Sequence, residues 1–179
     1  KPKFAPMRFI CYAATFLLLL TSCEEGNPNK SEIEKEVREA PQDYVEQVSD
    51  EIIESPNNAN LYVKRALAYQ ERGLMELAKK DVKRALSIDS TASYFHQVLG
   101  EINFLDGELR PARISLKKAT ELDESNTDAW LKLAEVYFIL RRYEEAIEAV
   151  NEALRIDDQL EQGYFIKGYV YKELGDTTR

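Results

Sequence analysis

The stretch AWLKLAEVYFILRRYEEAIEAVNEALRI, residues 129–156, decides the fold. Leu133, Ala134, Val136 and Tyr137 recur at helical spacing and predict a helix over 129–140. Arg141 and Arg142 break the apolar pattern. A second helix is predicted over 143–156, with Ala146, Val150, Ala153 and Leu154 on one face. Working outward, the same hairpin returns at a period of 34 residues. Tyr62, His96, Trp130 and Tyr164 form one column; Ala66, Gly100, Ala134 and Gly168 form another. Gly73, Gly107 and Gly175 share a third, which Arg141 interrupts. Further columns are Ala78, Ala112 and Ala146; Ala85, Ala119 and Ala153; and Asp89, Asp123 and Asp157. A fixed period of this length means stacked supersecondary units, each covering its neighbour's apolar face. Such a stack offers a long surface rather than a pocket, which points to binding rather than chemistry.

The alternation of small and large columns predicts how the units dock. Ala134 and Gly168 are expected at the tightest helix contacts, with Tyr69, Tyr137 and Tyr171 filling the space beside them. Gly73 and Gly107 fall where a turn between helices needs a permissive backbone. Pro111 sits in the first turn of its helix, where a missing N–H costs little.

These columns resemble the tetratricopeptide repeat (TPR), whose pattern runs aromatic, Leu-Gly, Tyr, Ala, Phe, Ala and Pro. Three copies match, 59–92, 93–126 and 127–160, with a partial one at 161–179, so the resemblance covers about two-thirds of the chain. It implies an all-α, right-handed superhelical solenoid of helix-turn-helix repeats. Val82, Leu116 and Val150 replace the family's large aromatic, and Ser90, Glu124 and Asp158 replace its closing Pro. Pro56 keeps that Pro one period earlier, so residues 42–58 are expected to form an N-terminal capping helix. The fourth copy stops before its second helix. Tyr164, Phe165, Val170 and Tyr171 are therefore expected to lack cover, and the sequence to be a fragment of a longer chain.

The N-terminus carries an address. Lys1, Lys3 and Arg8 precede a 12-residue apolar run, Phe9 to Leu20, short for a membrane span and suited to a signal-peptide core. The run ends in Leu20-Thr21-Ser22-Cys23, which resembles the bacterial lipobox. That resemblance implies a lipoprotein signal peptide over 1–22, cleavage before Cys23, and diacylglyceryl and acyl (palmitate) chains on Cys23. Two or three chains anchor a domain firmly where one is marginal. Residues 23–41 are polar and are expected to be a flexible acidic linker, turning helical near Glu32. The expected home is the bacterial cell envelope, as an outer-membrane lipoprotein facing the periplasm or the surface. Lys1, Lys3 and Arg8 are the three basic residues of 1–22, which holds no acid. The rest therefore carries 21 Lys and Arg against 32 Asp and Glu, a net charge of −11. An acidic body disfavours nucleic acid.

In the family the first helix of each unit lines the concave face, where peptides or partner helices bind. The resemblance implies groove positions at Val63, Leu67, Tyr94, Glu101, Phe104, Leu131, Glu135, Phe138, Phe165 and Tyr169. Val63 and Leu67 stand where some relatives place a polar clamp for a C-terminal carboxylate, so a hydrophobic segment with a basic residue fits better. Chemistry is not expected. His96 sits in the aromatic packing column, and Glu101 and Glu135 are equivalent residues of adjacent units. No Gly-rich phosphate loop or Gly-x-Ser-x-Gly elbow occurs. The expected partners are proteins on the concave face and a membrane at Cys23, with no cofactor, metal or nucleic acid. The expected role is an interaction scaffold in envelope assembly or secretion. The alternative is the recruiting arm of an envelope enzyme whose catalytic part lies beyond Arg179.

Overall fold

The computed structural model describes Lys30, Glu32, Ile33, Lys35 and residues 43–175. From Tyr44 to Glu173 the chain runs through eight helices and no strand. They are α1 (Tyr44–Glu54), α2 (Ala59–Glu71), α3 (Met75–Ile88), α4 (Ser93–Leu105), α5 (Leu109–Leu122), α6 (Thr127–Ile139), α7 (Tyr143–Ile156) and α8 (Glu161–Glu173). Each packs on its neighbours in sequence; α2, α4, α6 and α8 also meet in succession and so line one continuous face. This is an all-α repeat solenoid. The expectations for Cys23 and for residues 1–22 lie outside the described residues.

Three backbone devices repeat with the sequence. Each hairpin turn places one residue in the left-handed region: Gly73, Gly107 and Gly175 at φ 71°, 78° and 77°. Arg141 takes the same conformation at φ 57°, although it carries a Cβ. The amide of Gly73 donates to the Gln70 carbonyl and that of Leu74 to the Tyr69 carbonyl, at 2.9 Å each. This doubly bonded helix end satisfies carbonyls that the helix leaves open. Between units, Asp89, Asp123 and Asp157 each accept from the amide two residues on, at 2.9, 3.0 and 2.9 Å. The hydroxyl of Thr91, then its amide, holds the Asp89 carboxyl below the usual range. That contribution is present above the ordinary carboxylate range and is lost as pH falls through the lowered value.

The third device explains the aromatic column. Tyr62 donates its hydroxyl to the Pro56 carbonyl at 3.0 Å, and Tyr164 to that of Asp158 at 3.1 Å. Trp130 Nε1 donates to the Glu124 carbonyl at 3.0 Å. His96 Nε2 lies 3.0 Å from the Ser90 carbonyl, which makes that nitrogen the protonated one. Each acceptor lies six residues upstream, in the column that Pro56 begins. The column therefore selects a flat ring with a donor at its tip, and His96 satisfies it structurally.

The core is built from small residues. Ala66, Ala78, Val82, Ala85, Leu116, Ala134, Ala146 and Val150 are fully buried. A Cβ on Gly100 would stand 2.5 Å from Leu116 Cγ and 3.2 Å from the Leu116 backbone nitrogen, so α4 and α5 meet there as only glycine allows. Gly168 corrects the expectation of a tight contact. Nothing lies within 4 Å of its Cβ position, because no described helix packs on that side of α8. Tyr164, Phe165 and Tyr169 are exposed, as expected for an uncovered helix, whereas Val170 and Ile166 are buried against the preceding unit.

The first unit contains an ion pair that the other units lack. The Arg65 guanidinium donates to both carboxylate oxygens of Asp81, at 2.7 and 2.9 Å, and to Ser49 Oγ at 3.0 Å. It therefore ties α1 to the first hairpin. The bond to Asp81 raises the Arg65 pKa further above its ordinary value.

Candidate partner-binding groove

The concave face is formed by α2, α4, α6 and α8, and a polar chain runs along its floor. Asn126 caps α6 by accepting from the Ala129 amide at 3.0 Å. Its amide nitrogen donates to Gln97 Oε1 at 2.9 Å and to Ser93 Oγ at 3.1 Å. Gln97 donates onward to Glu101 at 2.7 Å. One unit further, Glu135 accepts from Lys132 and from Gln162, at 2.7 Å each. The two groove acids thus hold different partners, and each has its carboxylate fixed. Beside this floor runs an aromatic row. Lys132 Nζ sits 5.2 Å from the centre of the Phe104 ring. Phe138 lies 6.4 Å from Tyr169, and Tyr169 meets Phe165 edge-on at 4.6 Å.

The expected groove residues fall into three groups by exposure. Val63, Tyr94 and Leu131 are buried inside the apolar clusters. Leu67, Glu101, Phe104, Glu135 and Phe138 are half-buried, and Phe165 and Tyr169 are exposed. Sequence reasoning missed Asn126, Asp128 and Gln162. Asp128 and Gln162 stand one period apart, in a column with Asn60 and Tyr94 that mixes side-chain types, so no pattern announced it.

Residues from the N-terminal side of the chain cover part of the groove, from the cluster of the first two units to Asp128 on α6. Lys30, Glu32, Ile33 and Lys35 are helical, at the point near Glu32 where the linker was expected to turn helical. Ile33 is only 1% exposed and joins the apolar cluster that holds Val63 and Tyr94. The Lys30 ammonium donates to Asp128 on α6. Lys30, Gln97, Glu101, Asp128, Leu131, Lys132 and Gln162 surround a small cleft of about 250 Å³; Lys132 is turned to Glu135, which leaves Asp128 and Glu101 to face Lys30.

On the side of α3 and α5, Glu76, Asp106 and Glu108 bring carboxylate oxygens within 4.8 Å of one another. Lys79 sits among them, at 2.5, 2.7 and 3.4 Å. Its ammonium, held above its usual pKa chiefly by Asp106, already bridges the three carboxylates and offsets one of their three charges. Among the described residues no helix is long and apolar enough to cross a membrane.

A stack of helical hairpins with one polar and aromatic concave face defines a repeat scaffold of the interaction type. Tetratricopeptide repeat models match residues 59–91 and 127–160, which are the first and third hairpins of the stack. The crystal structure of MamA is similar, at 25% identity and a TM-score of 0.69, covering 83% of this chain and 82% of that one. So is the first TPR domain of Spaghetti (RPAP3) bound to the HSP90 peptide SRMEEVD. That structure has 16% identity and a TM-score of 0.63, over 65% of this chain and 93% of that one. Among curated proteins, the human protein O-mannosyl-transferase TMTC3 is 27% identical over 124 residues, 68% of this chain. The match spans 14% of the length of that relative.

Proposed function

We propose that this protein is a lipid-anchored scaffold of the bacterial envelope. Its groove recruits a helical or extended segment of another protein in assembly or secretion, and acyl chains on Cys23 hold it to the outer membrane. The observation that carries the reading is the aromatic row of half-buried Phe138 and exposed Tyr169 and Phe165 beside the fixed carboxylate of Glu135. Aromatic anchors next to a polar floor are typical of hot spots. The Spaghetti domain holds a peptide on the same fold. Val63 and Leu67 leave no clamp for a terminal carboxylate here, so an internal apolar segment is the better ligand. The lipobox Leu20–Cys23 supports the anchor.

The test places a photo-crosslinking residue at Phe165 or Tyr169 in intact cells, with Ile114, exposed on the second helix of its unit, as control. A discrete product from the groove positions and none from Ile114 is expected. Equal labelling from all three would remove the groove from the proposal. In parallel, Cys23→Ala should release the protein from membranes, and an unchanged membrane fraction would remove the anchor. A second reading has one observation behind it: the match to a stretch of a far longer transferase. On that reading the repeats are the recruiting arm of a larger enzyme, and a catalytic domain encoded in the same gene would establish it.

A further inference from the structure

We infer that the groove, from the apolar cluster of its first two units to Asp128 on α6, is a binding site for an amphipathic helix that presents a cation one turn before an aliphatic side chain. The chain's own Lys30 and Ile33 occupy this site in cis. Lys30 and Asp128 are 98 positions apart in sequence, so their pairing is a tertiary choice and not a local one. The Lys30 side chain is only 17% exposed, unusual for a lysine in a strongly charged stretch. Three residues on, Ile33 is buried, while Glu32 and Lys35 face water. Helical residues with one covered and one wet face are docked, not tethered. The site is complementary to both side chains. Asp128 and Glu101 supply negative charge at the Lys30 end, and Tyr94 and Val63 belong to the apolar cluster that takes Ile33. Val63, Tyr94 and Leu131, on a face that should meet solvent, are buried in this arrangement.

The inference rests on the groove being the binding face, and it adds both a ligand chemistry and a regulation. An outside helix of the same pattern must first displace the cis segment. Its apparent affinity is reduced by the fraction of molecules in which the site is open. The aromatic end of the groove, with exposed Phe165 and Tyr169, stays open meanwhile, so a partner can engage there first.

The test uses the full chain and a fluorescent synthetic peptide spanning residues 27–40, read by anisotropy. The parent should bind it weakly, and the Lys30→Glu/Ile33→Asp variant at least about tenfold more tightly, because the site is vacated. Adding Asp128→Lys to that variant should remove the gain. Equal binding by parent and variant, or binding by neither, overturns the proposal. Hydrogen exchange gives an arm that does not depend on the core substitution. Asp128 is exposed, so Asp128→Lys should leave the solenoid's protection intact while accelerating exchange at Lys30, Glu32, Ile33 and Lys35 about tenfold or more. Unchanged exchange there overturns the cis contact. Dimerisation of the parent that Lys30→Glu/Ile33→Asp abolishes would give the segment to a second copy and overturn it as well. The outcome is independent of whether envelope proteins crosslink at Phe165, so failure of the scaffold reading and failure of this one remain separable.

Discussion

The second unit and the fourth start from the same columns and reach different environments. Gly100 lies under Leu116 with no room for a methyl group, whereas Gly168, in the same column, has open space around it. In the first unit Tyr62 is buried with its hydroxyl bonded; in the fourth Tyr164 makes the same bond in the open. A repeat position therefore has no fixed energetic value. The next helix supplies that value, and α8 has none beyond it among the described residues. The first unit departs in the other direction, by replacing apolar contacts with the Arg65–Asp81 pair. The third unit has Leu133 and Ala149, both buried, at the corresponding positions.

That departure gives the largest expected effect. Asp81→Ala leaves the Arg65 side chain, about four-fifths covered, without its carboxylate and with only Ser49 as acceptor, and should cost about 2–4 kcal/mol. Arg65→Leu/Asp81→Ala copies the third unit and should be close to parent stability, since apolar replacements of buried pairs are often neutral or better. Urea denaturation of the four corners of this cycle separates the cases. A double variant as weak as the single would show that the first unit cannot adopt the third unit's packing.

The glycine column comes next. Gly100→Ala should lower stability by about 1–3 kcal/mol, because Leu116 must move and its backbone nitrogen cannot easily do so. Gly168→Ala adds a methyl group in open space within a helix and should gain up to about 1 kcal/mol. Similar losses at both sites in thermal melts would mean that something covers α8. The aromatic column predicts a smaller contrast of the same sign. Tyr62→Phe should cost about 1 kcal/mol through the orphaned Pro56 carbonyl. Tyr164→Phe should stay within about 0.5 kcal/mol, because water takes over.

Much of this was legible before any coordinates. The period placed the hairpins: helices predicted over 129–140 and 143–156 appear as Thr127–Ile139 and Tyr143–Ile156. The Gly column located the turns, because a positive φ leaves a compositional trace. What the period could not carry was anything that does not repeat. Lys30 and Ile33 sit in a charged stretch that reads as a linker. Their burial is decided by Asp128 and the Ile33 cluster, far along the chain. The Arg65–Asp81 pair is likewise invisible to columns, since both residues are exceptions in theirs. Gly168 was misread for the opposite reason. The column suggested a contact that only a further helix would create.

The smallest effect concerns the one turn where the sequence breaks its own rule. Arg141 occupies the left-handed conformation that Gly73, Gly107 and Gly175 occupy without cost. A Cβ there meets the following carbonyl oxygen, at about 1–2 kcal/mol. Glycine would remove this strain but enlarge the conformational freedom of the unfolded chain, which takes back about half of the gain. Arg141→Gly should therefore stabilise the protein by about 0.5–1 kcal/mol. Gly107→Arg should destabilise by a similar amount, since open space surrounds Gly107 and only the backbone term remains. The bonds that close the turn, Arg141 amide to Phe138 carbonyl and Arg142 amide to Tyr137 carbonyl at 2.9 Å each, are made by the backbone and survive the change. Chemical denaturation of both variants reads the difference directly. If Arg141→Gly instead loses stability, the Arg141 side chain makes a contact that outweighs its strained backbone, and the turns of the third unit and its neighbours are not equivalent after all.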